Sequence, residues 1–157
     1  MKTTKKSLAA ILGSVTAAAA LMTMTPKFEG TVYKTYKDVG GVLTYCTGAT
    51  EDAQWGKTYT PDECKAQLDY DLARHAEGMM NCVHVPLTEG QKIAFTDFTF
   101  NAGVSAFCGS SMARKANQGD VIGSCKALLL WDRVNGKPVR GLTIRREEER
   151  KICEGVK

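Results

Sequence analysis

Three side chains in one short stretch have the types and spacing for hydrolytic chemistry. In "FEGTVYKTYKDVGGVLTYCTGAT", residues 28–50, eight residues separate Glu29 from Asp38 and five separate Asp38 from Thr44. Two carboxylates on short connected elements can face one cleft from different surroundings, which divides them into an acid and a base or charge stabiliser. Glycoside hydrolysis needs such a pair: one group protonates the leaving oxygen, and the other manages a water or the developing positive charge. Glu29 sits beside Phe28 at the end of an apolar run, an expected setting for a carboxyl that keeps its proton. Asp38, in a polar Gly-rich turn, is expected to stay ionised. The Thr44 hydroxyl both donates and accepts, which suits it to hold an attacking water. Taken alone, a Glu and an Asp nine residues apart equally describe solvated charges around a hairpin.

These residues need elements to position them. Residues 31–36, "TVYKTY", alternate β-branched or aromatic with polar side chains; a turn follows at 38–41 and "VLTYC" resumes, which predicts a β-hairpin or three-stranded ribbon. Thr60-Pro61-Asp62-Glu63 is a capping box with Pro at the first helical position, and Cys64, Leu68 and Leu72 recur every four residues, predicting a helix over 61–79. A second box at Thr88-Glu89-Gly90-Gln91 opens a mostly apolar helix ending near Gly103, expected at the centre of the core. Ser110 or Ser111 starts a short helix, Gly119-Asp120 punctuates before another, and after a loop at Gly136, Thr143 opens a last helix, "IRREEERKIC". The fold class that follows is α+β: mostly helical, with a small sheet at its start.

A chain of 157 residues holds one domain with a real core. The formal net charge of +4 favours polyanions only in a general way, and no Lys/Arg run interleaved with aromatics points to nucleic acid. Six cysteines, at 46, 64, 82, 108, 125 and 153, contain no CxxC. An even count without metal-ligand spacing reads as up to three disulfides in an oxidising compartment. A zinc site from Cys64, His75, Cys82 and His84 is the competing idea, but the gaps do not resemble a compact finger. No metal or cofactor is therefore expected. Six cysteines allow fifteen pairings, which the sequence does not separate. Cys82 and Cys108 flank one predicted helix and Cys125 and Cys153 fall in two late ones, so Cys46 with Cys64 is the remaining guess.

The N-terminus reads as an export signal: Lys2, Lys5 and Lys6 precede an uncharged stretch over 7–25, closed by Pro26 and Lys27. Two fates compete. The small residues at 18–20 suit signal-peptidase cleavage, whereas the uncharged stretch is also long enough to span a bilayer as a helix. Leu8, Ile11, Leu12, Val15 and Leu21 together contribute only about −2 to −3 kcal/mol to insertion. So marginal an anchor suggests a segment that is retained, held while the membrane is energised and later released. The expected division is residues 1–25 as this segment and 26–157 as the catalytic domain, which lies outside the cytoplasm either way.

"FEG" followed by "YKDVGGVLTYCTG" resembles the catalytic signature of the phage T4-type lysozymes, the endolysins called muramidases, with Glu29, Asp38 and Thr44 matching both gaps of the family's triad. "GKTYTPDEC", "FTFNAGVSAF", "ARKANQGD" and "GLTIRREEERKIC" resemble successive landmarks of the same family, so the likeness runs from Phe28 to Cys153. The N-terminus is similar to that of the signal-arrest-release subgroup from lambdoid phages. The resemblance implies a lysozyme-like fold and hydrolysis of the β-1,4 bond between N-acetylmuramic acid and N-acetylglucosamine in peptidoglycan. Glu29 would be the general acid, with Asp38 and Thr44 positioning the water. It also implies a monomer tethered to the inner membrane through residues 7–25, kept inactive until a holin or pinholin collapses the membrane potential, then released to the periplasm. With only "PKF" between Thr25 and Glu29, the tether would hold Glu29 at the bilayer. Residues 1–25 contain no cysteine, so thiol exchange from the anchor is excluded.

Phe100, Asn101 and Ser110 resemble substrate-contacting residues of the family. Many relatives carry His where this chain has Ala49. Arg145 and Arg146 are expected to pair with Glu148 and Glu149 along the last helix, the alternative being wall-peptide carboxylates; His75 and His84 are expected at the surface or in loops. Two rival functions remain: a wall-binding or membrane-disrupting protein without chemistry, and a lytic transglycosylase.

Overall fold

The uncharged N-terminal stretch folds as two helices rather than one. The structure, a computed structural model, describes residues 6–155, so Lys2 and Lys5 of the export signal lie outside the described residues. Helix α1 (Leu8–Leu12) is capped by the Ser7 hydroxyl and ends at Gly13, whose φ of 65° is the left-handed conformation that stops a helix. The Ser14 hydroxyl then caps α2 (Val15–Glu29). Pro26 does not close the segment as the sequence suggested: it lies inside α2, which continues to Glu29 and stops at Gly30, at φ 75°. The expected boundary between residues 25 and 26 therefore falls within a continuous helix. Among the described residues, no helix is long and apolar enough to cross a membrane.

Strand β1 (Val32–Lys37) pairs antiparallel with β2 (Leu43–Cys46), placing Tyr36 opposite Thr44. A bridge between Lys34 and Thr58 adds a third line of pairing beside the hairpin. Both capping boxes form with the predicted reciprocal bonds: Thr60 with Glu63 opens α3 (Pro61–Asn81), and Thr88 with Gln91 opens α4 (Glu89–Ala102). Then come α5 (Val104–Cys108), α6 (Ser111–Asn117) and α7 (Val121–Ala127), the last two capped by Ser110 and Asp120. A 3-10 turn (Leu128–Leu130) and a two-residue hairpin, β3 (Arg133–Val134) with β4 (Lys137–Pro138), lead to α8 (Arg140–Cys153). Helix α8 starts earlier than the predicted Thr143, because the Thr143 hydroxyl is turned to Asp132 at 2.9 Å instead of capping.

Helix α4 is the centre of the larger core: Ala94, Phe95 and Phe98 pack with Met79, Phe107, Met112 and Leu128. It approaches the end of α8 at Gly90, where a Cβ would lie 2.3 Å from the Ile152 carbonyl, so only glycine fits. A second cluster joins the N-terminal helices to the body: Leu8, Leu12 and Leu21 are buried against Leu68, Leu72, Ala76 and Ile93. Burying each such leucine contributes about 1.5–3 kcal/mol. Polar groups of the body fix the same segment. The Asp69 carboxylate accepts from the Leu8 N–H at 3.4 Å, Lys92 Nζ donates to the Leu12 carbonyl at 2.8 Å, and the Ser14 and Thr16 hydroxyls donate to Glu89.

Three disulfides staple the fold in the expected pairs: Cys46–Cys64 ties β2 to α3, Cys82–Cys108 ties the ends of α3 and α5, and Cys125–Cys153 ties α7 to α8. Cys64 and Cys82 are thereby spent, which removes two of the four groups that would have made the zinc site.

Candidate active site

Glu29 is the last residue of α2, and Gly30 turns the chain directly into the hairpin that carries Asp38 and Thr44. The three residues thus sit on consecutive elements. Asp38 lies at the end of the hairpin, where its Oδ1 accepts the Gly40 N–H at 2.9 Å and the Val42 N–H at 2.8 Å. These two bonds fix the carboxylate to the turn it belongs to. Thr44 is buried on β2, and its hydroxyl donates to the Val42 carbonyl at 3.0 Å. A hydroxyl that donates once still has lone pairs to accept with.

Glu29 lies between two open cavities. One, of about 290 Å³, is lined by Glu29, Ala49, Glu51, Asp71, Arg74, His75, Phe100 and Asn101. The other, of about 430 Å³, is lined by Lys27, Phe28, Glu29, Asn101, Ile144 and Arg145, so Glu29 and Asn101 belong to both walls. Phe100 and Asn101, predicted from the sequence, are therefore brought to Glu29 by the end of α4. Ser110 is used differently: it is buried as the cap of α6, accepting from the Ala113 N–H at 3.3 Å and donating to the Phe107 carbonyl at 2.6 Å.

The expectation that an apolar setting surrounds Glu29 does not hold. Its Oε1 accepts from Arg145 Nη1 at 2.5 Å, and its side chain is only 25% exposed. Arg145 is in turn held by Asp97, with Nε to Oδ2 at 2.9 Å and Nη2 to Oδ1 at 3.1 Å, and the Thr25 hydroxyl donates to Oδ1 at 2.7 Å. The expected pairing of the arginines along α8 forms with Glu149 but not with Glu148. Arg146 does meet Glu149, at 2.8 Å, but both are buried, and a second guanidinium nitrogen donates to Asn101. Arg145 lies 3.6 Å from Glu149, while Glu148 pairs with Lys27 at 3.1 Å. Burial alone would raise the Asp97 carboxyl, but hydrogen bonds from Glu149 and Arg145 and the guanidinium charge leave it below its ordinary value. Glu149 goes the other way: burial first, then the bond to Asp97, pushes it well above the usual carboxylate range against the pull of Arg146. The surroundings thus favour the protonated form of Glu149 and the ionised form of Asp97.

Sequence reasoning missed Asp97 and Thr25. The signal was an acid inside the apolar run "IAFTDFTF", which demands a buried partner. His75 is half-buried, with Nδ1 at 2.6 Å from the Asp71 carbonyl, and lines the smaller cavity instead of sitting on the surface; His84 is exposed as expected. Ala49 and Asp71 line the same cavity, where Asp71 is met by Arg74 at 2.7 Å and Gln67 at 3.2 Å.

The phage lysozyme family matches residues 26–149. The SAR-endolysin of bacteriophage PS119 is 42% identical over 151 residues, 93% of this chain and 90% of the relative. That of Enterobacteria phage P21 is 41% identical over 154 residues, 95% and 93% of the two chains. A solved structure of a P22 lysozyme mutant is 30% identical and covers 87% of this chain and 96% of its own, with a TM-score of 0.81. The lysozyme-like α+β architecture, the acid at the end of α2 and a likeness that spans both the N-terminal helices and the body lead to one assignment: the chain belongs to the phage lysozyme family.

Proposed function

We propose that the protein is an exported endolysin, a muramidase that hydrolyses the β-1,4 bond between N-acetylmuramic acid and N-acetylglucosamine in host peptidoglycan. The observation that carries this reading is the position of Glu29, on the shared wall of two cavities, where a polymer can continue past it in both directions. Glu29 acts as the general acid and protonates the leaving glycosidic oxygen. Asp38, fixed to its own turn, and Thr44, with acceptor capacity left on its hydroxyl, position a water on the opposite face of the sugar. Attack from that face inverts the anomeric centre. Phe100 and Asn101 contact the glycan beside the acid. Neither a metal nor a cofactor takes part.

Residues 1–25 are retained, hold the protein at the inner membrane during export, and pack onto the body after release to the periplasm. The naming of the relatives as SAR-endolysins and the burial of Leu8, Leu12 and Leu21 support this course. Release depends on a holin or pinholin that collapses the membrane potential.

Turbidity loss of purified peptidoglycan tests the chemistry. The oxidised full chain is expected to clear it, and Glu29→Gln to lose at least about a hundredfold in rate. New reducing ends, read by product mass spectrometry, are expected; anhydro sugars would make the protein a transglycosylase. Clearing by Glu29→Gln at the parent rate would defeat the reading of Glu29.

A further inference from the structure

Asp97 is a fully buried carboxylate in the middle of α4, between Thr96 and Phe98. A charge is kept in such a place only when its bonds are satisfied, so its partners show its use. Asp97 grips Arg145 with both oxygens, through Nε and Nη2, leaving Nη1 as the arm that meets Glu29. A further bond to Asp97 comes from Thr25, whose side chain is also fully buried. Thr25 and Glu29 are four residues apart on α2, so they stand on the same face one turn from each other. The contacts therefore close a ring: Thr25, Asp97, Arg145, Glu29, and back along α2. A ring of this kind fixes both the rotation of α2 against α4 and the direction in which the guanidinium points.

We propose that Asp97 and Thr25 are positioning residues for the glycosidase reaction, setting Arg145 against Glu29 and locking the catalytic acid to the packed orientation of α2. The inference rests on the reading of Glu29 as the general acid. The charged groups facing Arg145 are Glu29 from α2, Asp97 from α4, and Glu149 and Arg146 on α8 itself. Of these, Asp97 is the one that holds the guanidinium by two hydrogen bonds, so it sets the direction of the third arm toward Glu29.

The test uses the oxidised full chain and its Asp97→Asn, Thr25→Val and Thr25→Ser variants, with clearing rates measured against peptidoglycan concentration. Asp97→Asn is expected to lower kcat about tenfold with KM within about twofold of the parent. Thr25→Val loses kcat in the same sense, about threefold or more, and Thr25→Ser, which restores the hydroxyl, returns to within about twofold. The proposal is overturned if Asp97→Asn keeps the parent kcat with an unchanged near-ultraviolet dichroism spectrum. Should Asp97→Asn not fold, Thr25→Val decides alone: parent-like kcat, or a loss that merely follows its folded fraction, overturns the proposal. Failure of the parent to clear, or clearing by Glu29→Gln, would instead defeat the assignment of Glu29 and is distinguished by running both alongside.

Discussion

Glu149 shows how a single residue can govern the pH response of this core. Its carboxyl is fully buried and raised well above the ordinary range, by burial first and by Asp97 next. The native state then binds a proton that the unfolded chain releases near pH ~4.3, so this group takes stability away as pH rises from there toward the folded pKa. A glutamine has no such proton to lose. The melting temperature of the parent is therefore expected to fall relative to that of Glu149→Gln as pH rises above about 4. A parent that gains on Glu149→Gln over the same range would mean that Glu149 is ionised in the fold. The sequence placed Arg145, Arg146 and Glu149 on one helix as expected partners, without showing that the pairing is buried. Helical spacing tells which side chains are neighbours on a helix, not which face of it is buried.

At the scale of elements, the hairpin is held at both ends by covalent structure. Glu29 joins β1 through Gly30, and Cys46 at the end of β2 is bonded to Cys64 in α3. A closed loop of 18 residues contributes about 3 kcal/mol by the chain-entropy account. Replacing both cysteines by serine is expected to lower stability by about 2–4 kcal/mol and to lower kcat as well, because the hairpin carrying Asp38 and Thr44 loosens. The same replacement at Cys125 and Cys153, which joins α7 to α8, is expected to lower stability alone. Urea titration with clearing rates measured below the transition separates the two cases; equal kcat losses would mean that Cys46–Cys64 has no special hold on the site. The helix starts at Thr60 and Thr88 were legible because a capping box is local, whereas the start of α8 was not, since Thr143 bonds to Asp132 across a loop.

At the scale of the whole molecule, the N-terminal helices are part of the core. Removing residues 1–25 would expose the surfaces that Leu8, Leu12 and Leu21 cover on α3 and α4. At about 1.5–3 kcal/mol for each leucine, the loss is comparable with the entire stability of an ordinary domain, about 5–15 kcal/mol. The truncated chain is expected to lose most of its cooperative thermal transition and its clearing activity, while the full chain keeps both. A truncated protein that melts within a few degrees of the parent would show that these helices are an appendage.

The sequence alone determined the capped starts of α3 and α4, the hairpin, the Glu29, Asp38 and Thr44 spacing and the uncharged N-terminal stretch. Each is written in neighbouring residues, through capping chemistry, turn residues, periodicity and uncharged length. Only the tertiary structure decided that the apolar N-terminal stretch breaks at Gly13 and packs on α3 and α4. It also decided that Glu29 meets Arg145, and that Asp97 and Thr25 stand behind that contact. Those contacts join residues 48 to 116 positions apart. They form only when α2, α4 and α8 are brought together, and no local pattern specifies which buried charge will meet which.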